Sequence, residues 1–160
     1  MRKFTLYLKM CFFITVSLVF AAFSEAGLRD EQTEFIRQLL SEHHDSTQGK
    51  RQIRRYELNV LNSGFCRYKR YFDNGKVEFF SFNLEKFRDM DYYGTDKQGV
   101  LYLRTKGEDV IVQTYHDRRG GDIDSMASYM AIPLKEIEPE QLTALSERLV
   151  RLNAQRLAQK

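Results

Sequence analysis

The fold of this chain is decided by the stretch Tyr92–Leu134, which reads YYGTDKQGVLYLRTKGEDVIVQTYHDRRGGDIDSMASYMAIPL. Three runs within it have the β-branched and aromatic composition that favours strands: Gly99–Thr105, Asp109–Tyr115 and Met126–Leu134. Lys106-Gly107 supplies a tight turn between the first two runs, which predicts a hairpin that pairs Leu103 with Val110. Both faces of that hairpin are apolar, so we expect a central element covered from two sides.

A second hairpin is predicted upstream, where Phe65–Phe72 and Val77–Leu84 flank Asp73–Lys76. Asn-Gly at the centre of this segment suits a two-residue type I′ turn, in which both central residues have positive φ. The stems of basic side chains then lie opposite phenylalanine rings on both faces of the hairpin. Counting outward from the turn gives the pairs Phe72 with Val77, Arg70 with Phe79, and Lys69 with Phe80.

The remaining elements are predicted from periodicity. Apolar residues at three- and four-residue intervals indicate an amphipathic helix over 28–44. Alternating apolar and polar residues indicate a strand within 51–60. Residues 83–94 are expected to form a connection with one helical turn, and Pro133 predicts an edge position or a strand end, because proline cannot donate a backbone hydrogen bond.

Glu138-Pro139 predicts the start of a C-terminal helix with a leucine stripe. We expect this stripe to pack on the sheet, and a coiled-coil seam is the alternative. The whole pattern predicts an α+β fold. It consists of an antiparallel sheet of about six strands, arranged as a meander of hairpins and flanked by an N-terminal and a C-terminal amphipathic helix.

Residues 1–26 differ in composition from the rest of the chain. Basic residues precede an uncharged apolar run, 10–23, and Ser24-Glu25-Ala26 provides small residues for a cleavage site. The uninterrupted run is shorter than the roughly 20 residues that cross a bilayer. We therefore predict a cleaved export signal rather than a membrane anchor, and a single domain, 27–160, that is periplasmic or extracellular and not attached to a membrane.

Charge and cysteine content narrow the functional classes. The signal segment holds three of the 25 basic and one of the 22 acidic residues, so the mature chain has a formal charge of +1. No general attraction to nucleic acid is expected at that charge. The single remaining cysteine, Cys66, excludes an intramolecular disulfide. We expect it to be a small buried apolar residue, and a reactive thiol or an intermolecular disulfide is the alternative.

The polar loop 116–125 concentrates side chains capable of chemistry. Three carboxylates in it are hard oxygen donors for a metal ion: Asp117, Asp122 and Asp124. The calcium-loop pattern is incomplete, because the following glycine and the downstream glutamate are missing. We therefore favour a solvated hairpin connection over a metal site, and we expect no cofactor. Three loop residues are candidate contacts for a partner: His116, Arg118 and Arg119.

Basic and aromatic residues are interleaved over 51–71. Cations among flat rings can bind polyanions or glycans through charge and stacking. The alternative is that these residues form solvated strand faces whose long stems cover apolar surface. The candidate binding residues in this region are Arg67, Lys69 and Tyr71.

The sequence contains no Gly-x-Ser-x-Gly, no His-Glu-x-x-His and no glycine-rich phosphate loop. We therefore expect an exported, non-enzymatic binding domain whose partner is a protein. One alternative is a metal-dependent or acid-base hydrolase centred on loop 116–125. The other is a domain that binds a polyanion or a glycan through residues 51–71.

Overall fold

The computed structural model describes residues 31–49, 51–61, 63–118 and 120–158. The predicted signal segment, the first residues of the predicted N-terminal helix and Arg119 lie outside this part of the chain. None of the described helices has the length and the apolar character that crossing a bilayer requires. The described elements are α1 (residues 31–42), β1 (Ile53–Val60), β2 (Phe65–Phe72), β3 (Val77–Asn83), a 3₁₀ turn (Leu84–Lys86), β4 (Phe87–Gly94), β5 (Gln98–Thr105), β6 (Val110–Tyr115), β7 (Ile123–Ala127), β8 (Tyr129–Lys135) and α2 (Pro139–Leu157).

The α+β class with antiparallel strands is confirmed, and the larger sheet has the order β1-β2-β3-β6-β7. The predicted hairpin of β2 and β3 forms, but its register differs from the prediction by one residue. Arg70 lies opposite Glu78 rather than Phe79, and Lys69 lies opposite Phe79 rather than Phe80. Because opposite residues of an antiparallel pair share a face, the shift brings Arg70 and Glu78 to the same side of the sheet.

The register shift comes from the turn. Phe72 donates its backbone N–H to the Lys76 carbonyl, which closes a three-residue loop, 73–75. Gly75 has a φ of +87°, whereas Asn74 keeps a negative φ. The predicted type I′ turn is therefore wrong. A type I turn followed by a left-handed glycine replaces it and adds one residue to the loop.

The smaller sheet has the order β4-β5-β8. The predicted hairpin between Gly99–Thr105 and Asp109–Tyr115 is wrong, because β5 pairs with β4 and β8, while β6 pairs with β3 and β7. Lys106 donates its backbone N–H to the Lys86 carbonyl, and the chain then passes to the other sheet. Both runs are apolar because both strands contribute buried side chains to one core cluster, among them Leu101, Leu103 and Val110.

Two more predictions need correction. The segment 83–94 is not a connection, since most of it forms β4. A bulge between Phe87 and Asp89 interrupts the alternation that would have predicted a strand.

The run Met126–Leu134 is not one strand, because the strand ends before Ser128 and the chain continues in the other sheet as β8. In the described part of the chain, the predicted sheet of about six strands is thus replaced by sheets of five and three strands. β8 is an edge strand of its sheet, which is one of the two positions that Pro133 predicted.

Both helices contribute to the core. α2 begins at Pro139, as Glu138-Pro139 predicted, and Glu138 and Gln141 form a capping box at its start. The leucine stripe packs on the core, which confirms the sheet-packing prediction. The buried apolar residues of the described helices are Ile36, Leu39 and Leu40 in α1 and Leu145, Leu149 and Leu152 in α2.

Candidate functional site

The two sides of β2 differ in their surroundings. Strand alternation turns Cys66 and Tyr68 toward the core, where both are fully buried. We call the opposite side of the five-stranded sheet the outer face. Its side chains form three rows across the strands: Arg55, Tyr71, Val77 and Tyr115; Glu57, Lys69, Phe79, Gln113 and Asp124; and Asn59, Arg67, Ser81, Ile111 and Met126.

Cationic side chains are concentrated on the β2 part of the outer face. The Lys69 ammonium nitrogen lies 4.9 Å from the centre of the Tyr71 ring, and the Arg67 guanidinium lies 5.5 Å from that of Phe65. The Tyr71 hydroxyl donates a hydrogen bond of 3.0 Å to Glu57. Within the described residues, neither Arg67 nor Lys69 forms an ion pair with a carboxylate. Glu57 lies opposite Lys69 on β1 and attracts it without forming an ion pair, so the described chain compensates the positive charge of this part only partly.

Apolar side chains lie on the β6 and β7 part of the same face. Ile111 and Met126 are opposite each other on the two strands, and they are 42% and 51% exposed. A groove of about 370 Å³ lies on the basic part of this face and extends to β6, but Ile111 and Met126 do not line it. Its lining residues are Glu57, Asn59, Arg67, Lys69, Phe79, Gln113 and Tyr115. The outer face thus combines cations, aromatic rings and exposed apolar side chains on one surface.

The predicted loop 116–125 is shorter than expected, because β7 begins at Ile123 and Asp124 lies in that strand. The three carboxylates do not converge. Each of the three predicted metal ligands contacts a different group: Asp117 the Lys76 ammonium at 3.0 Å, Asp122 the His116 backbone N–H at 2.7 Å, and Asp124 the Gln113 side-chain amide at 3.2 Å. No group of three histidine, cysteine or acidic side chains in the described part of the chain is arranged to hold a metal ion. This geometry gives the metal hypothesis no support.

The other predicted loop residues lie apart from the predicted strand residues. His116 and Arg118 line a cavity of about 590 Å³ at the end of the sheet. That cavity shares no lining residue with the groove that contains Arg67 and Lys69. His116 has a φ of 58°, a left-handed conformation uncommon for a residue other than glycine. The candidate binding residues therefore form two separate sites rather than one.

His44 has surroundings that the sequence analysis missed. It lies beyond the last helical residue of α1 and pairs with Leu134 of β8. Its ring stacks on Tyr56 with 3.6 Å between the ring centres, and its Nε2 hydrogen-bonds with the Tyr68 hydroxyl at 2.7 Å. Burial lowers the pKa of His44 to about 4, although the charge of Asp45 acts in the opposite direction. The imidazole is therefore neutral at pH 7 and joins α1 to both sheets.

A chain of ion pairs lies beside this histidine. Glu78 accepts from Arg70 at 2.7 Å and from Lys76 at 2.8 Å, and Lys76 also contacts Asp117. Burial alone would raise the pKa of Glu78, but the two cations outweigh it and hold the pKa below its usual value. The sequence did not predict the pairing of Arg70 with Glu78, because the predicted register of β2 and β3 placed Arg70 opposite Phe79. A three-residue loop, the other common turn for Asn-Gly, would have revealed it.

Cys66 is a core residue, as expected. It is fully buried, and burial raises the pKa of its thiol to about 12. Because the thiolate is the nucleophilic form, a thiol with so high a pKa is unsuited to nucleophilic catalysis at neutral pH.

The chain matches no protein-family model, no curated protein and no solved structure. Its function therefore has to be inferred from its own residues, their contacts and their exposure.

Proposed function

We propose that this protein is an exported, non-enzymatic binding domain that binds a protein partner through its outer face. The observation that supports this function best is the combination of exposed Ile111 and Met126 with Arg67 and Lys69 on one open sheet surface. Exposed apolar side chains grouped with tyrosine and arginine are typical of protein interfaces. Export is inferred from the composition of residues 1–26.

The charges of the outer face specify the chemistry of the partner. A complementary surface places carboxylates over Arg67 and Lys69 and apolar side chains over Ile111 and Met126. The Tyr71 ring, which lies under the Lys69 ammonium group, offers a rigid contact area to such a surface. Charge complementarity of this kind mainly accelerates association and selects the partner, while burial of the apolar part supplies affinity.

A protein is favoured over a polyanion because the positive charge is not continuous. Glu57 and Asp124 lie in the same cross-strand row as Lys69, and they interrupt the basic path that a polyanion would follow. The apolar part of the face gives no contact to phosphate or sulfate groups. The hydrolase alternative receives less support, because the loop carboxylates contact separate partners.

The proposal is tested by selecting peptides from a random display library on the purified protein. We expect the selected peptides to combine acidic and apolar residues. Their affinity should fall by at least about tenfold in Lys69→Glu and in Ile111→Lys, which is the loss of one strong interface contact. Arg151→Glu is the matched control, since it reverses an exposed charge on α2 and should leave the affinity unchanged.

Two outcomes would contradict the proposal. One is that the selected peptides bind Lys69→Glu and Ile111→Lys as tightly as they bind the unaltered protein. The other is salt-sensitive retention on heparin that disappears when Arg67 and Lys69 are both replaced by glutamine, together with no enrichment of any peptide. The second outcome would assign the protein to the polyanion-binding class.

A further inference from the structure

A cavity of about 310 Å³ lies on the core side of the five-stranded sheet, between the segment that precedes β1 and the β2–β3 hairpin. It shares no lining residue with the groove of the outer face. One part of its wall is charged and contains three cations, Arg51, Arg70 and Lys76, and the carboxylate of Glu78. The other part is apolar and contains Ile53 and Phe72. This division suits a small ligand with one charged and one apolar group.

Two of the three cations are held in place by the protein. Glu78 binds both Arg70 and Lys76, and their side chains are 23% and 17% exposed. The guanidinium of Arg70 also lies 5.6 Å from the centre of the Phe72 ring. Groups that are already fixed lose little conformational entropy when a ligand binds, so the part of the wall formed by Arg70 and Lys76 is preorganised.

The charges of the cavity do not balance. Glu78, which lines the cavity, binds Arg70 and Lys76, and Asp117, which lies outside the lining, binds Lys76 as a second carboxylate. Arg51 forms no ion pair with any carboxylate of the described residues. Counting these groups leaves one positive charge, which favours a ligand with a single negative charge over phosphate or another dianion.

A second observation points to a ligand with a hydrogen-bond donor. Gln48 also lines the cavity, and its Oε1 is shielded from solvent without a hydrogen-bond partner in the described part of the chain. A buried polar atom left without a partner destabilises the protein by about 1 to 3 kcal/mol. Rotation of the Gln48 side-chain amide would turn this oxygen toward the cavity, where a ligand N–H would remove that cost.

We propose that the cavity binds the C-terminal residue of a peptide chain with an apolar side chain. The terminal carboxylate binds Arg51 beside Lys76, the side chain lies on Ile53 and Phe72, and the backbone N–H of the terminal residue donates to Gln48. Capture of a chain terminus by a small set of fixed polar groups is a known mode of peptide recognition. A cavity of 310 Å³ is at the small end of ligand sites, as expected for a single residue.

The experiment titrates the full chain with N-acetyl-leucine, followed by NMR, against two comparison probes. N-acetyl-leucinamide has the same shape without the carboxylate, and inorganic phosphate has the charge without the apolar group. We expect N-acetyl-leucine to bind with a Kd of about 1 mM, as ligands of this size do. We expect contacts between its methyl groups and Ile53. Arg51→Gln should weaken binding by at least about tenfold, because it removes a charge-assisted hydrogen bond.

Arg54→Gln is the matched control, since Arg54 is exposed and does not line the cavity. Equal binding of N-acetyl-leucine and its amide would overturn the proposal, as would tighter binding of phosphate or no binding of N-acetyl-leucine at all. Contacts between the leucine methyl groups and Ile53 are measured on the unaltered chain, so they decide the site even if Arg51→Gln does not fold. The outer face plays no part in this test, so its outcome is independent of the proposed function.

Discussion

Arg67 and Arg70 occupy the same strand, three residues apart, and they have opposite roles because they point to opposite sides. Arg70 is surrounded by the rings of Tyr68, Phe72 and Phe80, with centre distances of 5.0 to 5.7 Å, and it binds Glu78. Arg67 is exposed on the outer face and has no described carboxylate partner. One residue type therefore stabilises the fold on one side of β2 and remains available for binding on the other.

The difference between Arg67 and Arg70 shows on which side of the sheet polar groups contribute to stability. On the core side, His44, Tyr68, Arg70 and Glu78 are buried or half-buried and have partners. On the outer face, charged groups are solvated, and solvated pairs contribute at most about 1 kcal/mol. Changes on the core side should therefore lower the free energy of unfolding, whereas changes on the outer face should mainly alter binding.

The largest expected effect is the pH dependence due to His44. Its pKa in the folded chain is about 4, below the ordinary value of 6.5, so the unfolded chain binds more protons between these values. The contribution of neutral His44 to the free energy of unfolding has its full value above pH 6.5, and it decreases as the pH falls toward 4. At about 1.4 kcal/mol for each pKa unit, the total loss is about 3 kcal/mol, of which about 2 kcal/mol is lost by pH 5. Urea denaturation at pH 7.5 and pH 5 measures it.

His44→Gln should abolish most of this pH dependence, even if the variant is less stable at every pH. His116→Gln is the control, because His116 is exposed in the loop and should leave the dependence unchanged. A stability that stays constant between pH 7.5 and pH 5 in the unaltered protein would show that His44 is not buried as a neutral ring.

The second effect compares the two arginines directly. Arg70→Ala removes a half-buried ion pair and its packing against three rings, so we expect the free energy of unfolding to fall by about 2 kcal/mol. Arg67→Ala should change it by less than about 0.5 kcal/mol. Chemical denaturation of both variants at pH 7.5 gives the comparison. Equal losses would mean that Arg67 has a structural partner and is not free to bind another molecule.

The sequence predicts the β2–β3 hairpin well because its signals are local. Asn74-Gly75 marks a turn, and the alternation after it predicts that Arg67, Lys69 and Tyr71 share a face. The same dipeptide suits two turn types that differ by one residue, and local sequence does not decide between them. The pairing of Arg70 with Glu78 depends on that choice, which is why the sequence analysis missed it.

The partner of a strand is a non-local property, and here the prediction was wrong. Lys106-Gly107 looks like a hairpin turn, yet the strand before it pairs with β4, which a bulge at Phe87 conceals. The apolar part of the outer face was missed for a related reason. Ile111 and Met126 come together with the basic residues only because β6 pairs with β3 and β7 pairs with β6.

The smallest expected effect, that of Ile111→Ala, tests whether the outer face is open. Val110 and Ile111 are neighbours in β6 that point to opposite sides, and they are 0% and 42% exposed. Val110→Ala should lower the free energy of unfolding by about 2 kcal/mol, because it leaves a cavity in the core. Ile111→Ala should lower it by less than about 0.5 kcal/mol, because its side chain is already partly in water. If urea denaturation gives similar losses for both, the outer face is covered by the chain itself, and a partner has no access to it.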